Sequence, residues 1–166
     1  MNRHTGQADS PAEGAPLRYG EDLLVGQRFE LGSHRVEEAE LVDFASQWDP
    51  QWFHVDGVAA QQGPFEGLIA SGIHTLAILT RLTYAAIGNR WALIAGRGLR
   101  DLRFRHPVRP GDVLTGFIVV RGLEFDDRGR VLLTTENTLV EQSGQPVLTT
   151  LLDAYLHARP SGQAPD

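Results

Sequence analysis

The sequence contains no cysteine at all and only one methionine among its 166 residues. A disulfide framework, a thiolate nucleophile and a cysteine-ligated zinc or iron–sulfur centre are therefore excluded. Any catalysis must use oxygen and nitrogen groups. The apolar fraction of 42% is enough for one domain to bury a core without such cross-links.

Positive charge is also scarce. Lys and Arg together number 15 against 21 Asp and Glu, which gives a net charge of −6. This balance argues against a general nucleic-acid surface or a surface for anionic membranes, because both require an excess of basic residues. It leaves room for a local basic patch that contacts a phosphorylated ligand.

Long apolar runs are missing as well. No stretch approaches the roughly 18 to 20 uninterrupted apolar residues of a membrane span, and the N-terminal MNRHTGQADSPAEGAPLR lacks the apolar middle of a secretory signal. We therefore expect a cytoplasmic protein without a membrane segment. The polar composition of both ends predicts flexible tails at residues 1–18 and 159–166, which leaves one domain at residues 19–158.

The periodicity of the remaining sequence predicts an α+β fold. A strand is expected near Phe29, then a short amphipathic helix in EEAELVDFASQW, and a long buried helix from Leu68 to Ile87. From Trp91 onward four β-rich runs are separated by the turn sequences RPGD, DDRGR and SGQ, which predicts an antiparallel meander. Only the long helix can cover the apolar face of this sheet, so we expect an antiparallel β-sheet wrapped around a central α-helix.

The segment QWDPQWFHVD, residues 47–56, combines two acids, one imidazole and three aromatic rings. Asp49 before Pro50 fits a helix N-cap and first helical position, and Asp56 could cap the helix that follows. His54 beside Phe53 could be a half-buried structural histidine or a catalyst. The local spacing leaves both interpretations open.

A second unusual segment, IASGI, places Gly72 near the start of the predicted central helix. Unpaired N–H groups and the positive end of the helix dipole could face a polarised carbonyl there, or the glycine could only allow helix and sheet to approach. His74 could line a pocket, although a core or dimer-interface histidine is the simpler interpretation. The other histidines are too scattered to indicate a metal site, and AGRGLR lacks the third glycine of a dinucleotide loop.

Three separated motifs, DPQWFHVD, FEGLIASGIH and FRHPVRPGDVL, together resemble the signature of MaoC-like dehydratases, the (R)-specific enoyl-CoA hydratase group of the hot-dog superfamily. The resemblance runs from about Tyr19 to His157. It implies a hot-dog fold in which Asp49 and His54 are catalytic and the N–H of Gly72 helps to form an oxyanion hole. It also implies a structural turn at residues 107–112.

The resemblance includes two departures, since Trp52 stands where the family commonly has proline and Ser71 where it often has histidine. Neither removes a group that the chemistry requires. Around the catalytic groups we expect the substrate to contact Trp52, Phe53, Phe65, Ser71 and Ile73. Burial by the aromatic rings is expected to raise the pKa of the nearby carboxyl group.

The implied activity is reversible hydration of a trans-2-enoyl thioester, by an enoyl-CoA hydratase that also acts as a 3-hydroxyacyl-CoA dehydratase. The substrate would be an acyl-CoA or an acyl-carrier thioester, with no metal and no cofactor other than the coenzyme A that the substrate carries. One or two of four arginines could hold its phosphates: Arg97, Arg100, Arg103 and Arg105. A homodimer or larger homo-oligomer is expected, because the sheet would expose an edge.

Two alternatives remain open. A hot-dog thioesterase would use an acid to activate water against the thioester carbonyl, and a non-catalytic subunit would only bind the acyl thioester. The five-residue offset between Asp49 and His54 favours the hydratase. Retention of Asp49, His54 and Gly72 argues against the binding subunit.

Overall fold

The computed structural model describes residues 16–160 and residue 162. Within these residues the chain forms five strands and four α-helices: β1 (Arg28–Arg35), α1 (Glu38–Trp48), α2 (Trp52–Val55), α3 (Gly57–Gln61), α4 (Gly72–Thr83), β2 (Leu93–Phe104), β3 (Val113–Phe125), β4 (Arg130–Val140) and β5 (Pro146–His157). A 3-10 turn at Gly20–Asp22 precedes β1, and a π-helical turn at Tyr84–Gly88 continues α4.

The strands form one sheet in the order β1-β3-β4-β5-β2, and each of the four strand pairings is antiparallel. The predicted α+β fold is confirmed. The predicted meander is correct for β3, β4 and β5 but wrong for β2, which pairs with β5 at the far edge. The link from β2 to β3 contains Pro107 and Pro110, which have no N–H to donate, whereas the other two links are tight hairpins.

The turn residues form hydrogen bonds that close these connections. In the β3–β4 hairpin the Asp126 carboxylate accepts hydrogen bonds from the N–H groups of Arg128 and Arg130, at 2.9 Å each. Before β3, the Asp112 carboxylate accepts one from the N–H of Arg109 at 2.8 Å. Gly111 lies between Arg109 and Asp112 with a backbone φ of +90°, a conformation that residues with a side chain rarely adopt.

The central helix begins four residues later than the apolar pattern predicts. Residues 68–70 are not helical, and the N–H of Ala70 donates to the carbonyl of Val108 at 2.8 Å instead. Ser71 is the N-cap, and its hydroxyl accepts a hydrogen bond from the N–H of Ile73. The pattern failed here because a non-helical segment buried between neighbours is as apolar as a buried helix.

One face of α4 packs on the sheet. Ile78, Leu79 and Leu82 are buried in the same cluster as Leu114 and Ile118 of β3. The opposite face is open in the single chain. The expectation that α4 is buried all round is therefore wrong for the single chain.

The predicted tails lie mostly outside the described residues. Of their described parts, Arg18 forms a backbone bridge with Trp91, and the side chain of Arg159 hydrogen-bonds to Asp22. No helix within the described residues has both the length and the apolarity to cross a membrane.

Candidate active site

The segment between α1 and α2 positions an acid and an imidazole close to each other. Helix α1 ends at Trp48, and the next residue, Asp49, has a non-helical backbone φ of −156°, because the following Pro50 disfavours a helical conformation before it. Gln51 is the N-cap of α2, a single turn that contains His54. Asp49 is therefore the C-cap of α1 and not the predicted N-cap, whereas Asp56 does cap α3, accepting hydrogen bonds from two N–H groups at 3.0 Å each.

The Asp49 carboxylate is held by two donors. The Ser71 hydroxyl donates to Oδ2 at 2.7 Å, and the side-chain amide of Gln51 donates to Oδ1 at 2.9 Å. These two hydrogen bonds, that of Ser71 first, lower the pKa of Asp49 below its ordinary value and outweigh the opposing effect of burial. The expectation that the aromatic rings raise this pKa is wrong, because donors to the charged form outweigh desolvation.

The His54 ring is buried and its tautomer follows from its partners. Its Nδ1 lies 2.7 Å from the carbonyl oxygen of Ile69. A carbonyl can only accept, so Nδ1 carries the proton and Nε2 of the neutral ring has a free lone pair. Nε2 lies 3.5 Å from Oδ2 of Asp49. When the ring is neutral, Nε2 and Oδ2 are both acceptors, so they face each other without a direct hydrogen bond.

Gly72 is the first residue of α4, and its N–H belongs to the first turn, which has no acceptors within the helix. Among the described residues no acceptor is bonded to this N–H. A Cβ at position 72 would lie 2.6 Å from the ring of Phe104 on β2. A side chain at position 72 would therefore have to displace the Phe104 ring, whereas the N–H is unpaired because of its place in the first turn.

His54 and Gly72 line one cavity of about 310 Å³. Phe65, Phe104, Arg105 and His106 are also in its wall. Asp49, although its Oδ2 lies 3.5 Å from Nε2 of His54, is not part of the wall. The cavity thus brings His54, Gly72 and an aromatic surface to one space.

The residues predicted to contact substrate occupy different environments. Phe65 lines the cavity, and Phe53 packs with ring centroids 4.4 Å from His54 and 5.7 Å from Phe65. Trp52 and Ile73 are 45% and 55% exposed, near the cavity in sequence but outside its wall. Ser71 is fully buried and bonds to Asp49. Their contacts with substrate remain predictions.

Sequence reasoning missed three residues that complete the arrangement. Gln51 and the carbonyl of Ile69 hold Asp49 and His54, and Phe104 packs against Gly72. Gln51 is two residues from Asp49 inside the segment already singled out, so its role was accessible from local spacing. The contacts of Ile69 and Phe104 depend on the tertiary fold, and no local pattern indicates them.

The predicted arginine cluster on β2 is divided among separate interactions. Arg100 forms a two-point ion pair with Asp153, at 2.8 and 2.9 Å. Arg105 lines the cavity and donates to the Thr149 hydroxyl at 3.1 Å. The side chain of Arg103 has no hydrogen bond or ion pair within the described residues. Arg97 lies over the ring of Tyr155, 6.0 Å from its centroid, and acts electrostatically on Asp153. Arg103 and Arg105 are thus the members of the cluster without an acidic partner in the part of the chain that the structure describes.

A second, larger cavity of about 520 Å³ lies along the C-terminal half of α4. Its wall is mainly apolar and includes Leu76, Leu79, Trp91, Ile118 and Leu133. No group of three or more His, Asp or Glu side chains within residues 16–160 is arranged to hold a metal ion.

The sheet around one helix is the hot-dog fold, and comparison with known proteins supports the same relationship. An uncharacterized protein YdeM of Bacillus subtilis is 36% identical over 70% of this chain and 86% of its own length. The 3-hydroxyacyl-thioester dehydratase Z of Mycobacterium tuberculosis is 38% identical over 59% of this chain and 66% of its own.

Among solved structures, a MaoC-like dehydratase from Rhodospirillum rubrum superimposes with a TM-score of 0.78 at 35% identity, over 86% of this chain and 99% of that one. The model of the MaoC-like domain matches residues 23–142, which include Asp49, His54 and Gly72. The chain therefore belongs to the MaoC-like domain family.

Proposed function

We propose that this protein adds water reversibly to a trans-2-enoyl thioester, as an enoyl-CoA hydratase and 3-hydroxyacyl-thioester dehydratase. The observation that supports this proposal best is the pair of acceptors, His54 Nε2 and Asp49 Oδ2, 3.5 Å apart, with His54 and Gly72 in the wall of one cavity. A water that donates one hydrogen to each acceptor satisfies both. The dehydratase named among its relatives acts on the same class of thioester.

In this mechanism His54 moves the proton. As the water oxygen attacks the β-carbon, Nε2 takes a proton from that water, because the lowered pKa of Asp49 makes its carboxylate a poor acceptor. The imidazolium then forms an ion pair with the ionised Asp49. Its Nε2–H returns the proton to the α-carbon, so that one water has been added and no group of the protein has changed its charge.

Gly72 would stabilise the charge that develops on the thioester oxygen. The electrons displaced from the double bond pass to that oxygen, and the N–H at the start of α4 is aligned with the positive end of the helix dipole. A preorganised backbone donor of this kind contributes about 2.7 to 4 kcal/mol to the transition state in enzymes where it has been removed. The steps use only the protein's own groups and the substrate.

The substrate carrier would meet the basic end of the cavity. Arg105 in its wall, with Arg103 near it in sequence, suits the phosphates of coenzyme A or of an acyl-carrier prosthetic group. We also propose that the chain assembles through β2, an edge strand with four exposed apolar residues: Leu93, Ile94, Leu99 and Phe104. The absence of cysteine suits a cytoplasmic location.

The test is turnover of crotonyl-CoA and longer trans-2-enoyl-CoA esters by the full chain. A hydratase lowers the enone absorbance and releases no free thiol, and Asp49→Asn abolishes the signal. Release of free coenzyme A, detected with a thiol reagent, would instead identify a thioesterase. Binding without either signal, unchanged in Asp49→Asn, would identify a non-catalytic acyl-thioester-binding subunit.

A further inference from the structure

Two imidazoles share one carboxylate at the contact between α1, α4 and β1. Glu40 of α1 lies with Oε2 2.9 Å from Nε2 of His34 on β1, and with Oε1 3.3 Å from Nε2 of His74 on α4. We call these three residues the His34–Glu40–His74 cluster. It joins three elements through a single side chain, and the proposed mechanism does not use it.

His74 is the unusual member of this cluster. The residue is 2% exposed, and its ring stacks on Phe44 of α1 at 4.7 Å between centroids. Because a carboxylate accepts, Nε2 carries the proton toward Glu40, and Nδ1 is left as a buried atom without a hydrogen-bond partner among the described residues. A leucine could fill such a space without leaving a buried polar atom unpaired, so packing alone does not account for an imidazole here.

The cluster and the candidate site are attached to the same two helices. Asp49 is the C-cap of α1 and bonds to Ser71, the N-cap of α4. Glu40 lies nine residues earlier on α1, roughly 14 Å along the helix axis. Besides the apolar packing of the buried Leu41 and Ala45, α1 is thus attached to α4 by polar contacts at two separated points, and His34 attaches the second point to the sheet.

We propose that Glu40 and His74 are positioning residues that hold α1 against α4 and so keep the Asp49 carboxylate in place beside His54 and Gly72. The expected effect on kcat rests on the proposed function, whereas the expected effect on the position of Asp49 does not. The titratable groups that face His74 are Glu40 from α1 and His34 from β1. Protonation of His74 would add a second buried N–H with no acceptor, so this attachment is built for the neutral ring.

The kinetic test compares Glu40→Ala and His74→Leu with the matched control Glu38→Ala, which removes an exposed acid from the same helical turn. We expect kcat for enoyl-CoA hydration to fall about tenfold or more in the first two with little change in KM, because displacement of a reacting group by about 1 Å costs up to 10²-fold. Glu40→Gln keeps an acceptor for His74, and His74→Gln keeps a donor to Glu40. Both variants should therefore lose less kcat than Glu40→Ala and His74→Leu. Glu38→Ala should match the wild type.

The structural test uses nitrogen NMR of the full chain labelled on histidine. The ring signals of His54 should shift in Glu40→Ala and His74→Leu and stay unchanged in Glu38→Ala. If the wild type proves to have no hydratase activity, the proposed function fails and these signals alone decide the inference. Folded Glu40→Ala or His74→Leu protein with wild-type kcat and wild-type His54 signals would overturn the inference. If neither variant folds, the glutamine variants decide: a partial loss of kcat with shifted His54 signals supports the inference, and wild-type values for both overturn it.

Discussion

The hydroxyl oxygen of Ser71 lies 2.7 Å from Oδ2 of Asp49, and the same oxygen accepts a hydrogen bond from the N–H of Ile73. One buried hydroxyl therefore starts α4 and holds the acid at the end of α1. The two roles can be separated by experiment, because loss of a cap affects stability and loss of a donor affects the carboxylate.

Ser71→Ala should lower the free energy of unfolding by about 1 kcal/mol, the usual cost of a lost cap. It should also lower kcat by about tenfold or more, and raise the pKa of Asp49 toward its ordinary value. Since activity requires the ionised carboxylate, the acid limb of the pH–rate profile should move to higher pH. Asp56→Ala, which removes the cap of α3, is the control. Equal effects of Ser71→Ala and Asp56→Ala on kcat would show that Ser71 acts only as a helix cap.

Asp49→Asn and His54→Ala should each lower kcat by about 10² or more, because His54 transfers the proton and the ionised Asp49 stabilises the imidazolium that forms. The measurement is hydration at saturating enoyl-CoA. Asp43→Asn on the exposed face of α1 is the matched control and should leave kcat unchanged. Wild-type kcat in a folded His54→Ala protein would exclude the proposed proton transfer.

Gly72→Ala should push the Phe104 ring out of position, since a Cβ there lies 2.6 Å from it. The ring is 52% exposed and can move, so we expect a stability loss at the lower end of the about 1 to 3 kcal/mol typical of overpacking. We also expect kcat to fall, because the Phe104 ring lines the cavity. Urea unfolding of Gly72→Ala, Phe104→Ala and the double variant checks the contact. A double variant no more stable than Gly72→Ala would contradict it.

His74 should make the protein less stable in mild acid. Burial lowers its pKa in the folded state below the ordinary 6.5, against the opposing effect of Glu40. The unfolded chain then binds more protons, so the stability present above about pH 6.5 is lost as the pH falls toward the folded-state value. Urea unfolding at about pH 7.5 and about pH 5.5 should show a smaller loss in His74→Leu than in the wild type. Equal losses would assign the effect to other groups.

Ile94→Lys should disrupt assembly through β2, because it places a charge on an exposed apolar edge strand. Sedimentation should show a smaller species than for the wild type. Leu24→Lys, at a more exposed apolar residue outside the sheet, is the control and should not change the oligomeric state. A wild-type chain that is already monomeric would contradict the proposed assembly.

Much of the fold could be predicted because hydrophobic period and turn residues are local. The four C-terminal runs and their turns follow from the sequence, and so does α1. The apolar period predicts a start of α4 at Leu68, which is too early, because it does not distinguish a buried non-helical segment from a helix. Ser71 is a typical N-cap residue, and this local signal indicates the correct start.

The site was less accessible to sequence reasoning. Asp49 before Pro50 has the form of an N-cap, yet the chain turns there and Asp49 is the C-cap of a helix instead. The direction of its pKa shift depends on Ser71, 22 residues away, and could not be derived from the neighbouring aromatic rings. The position of β2 beside β5 likewise depends on which edge of the sheet is free, which is a property of the whole topology.

The packing of Phe104 against Gly72 connects the edge strand β2 with the candidate site. Phe104 ends the edge strand β2, and its ring lies where a side chain at position 72 would be. A substitution at Phe104 that changes the exposed surface of β2 therefore also changes the space beside the N–H of Gly72. Under the proposed assembly through β2, a change at Phe104 would therefore alter the contact between chains and the candidate site together.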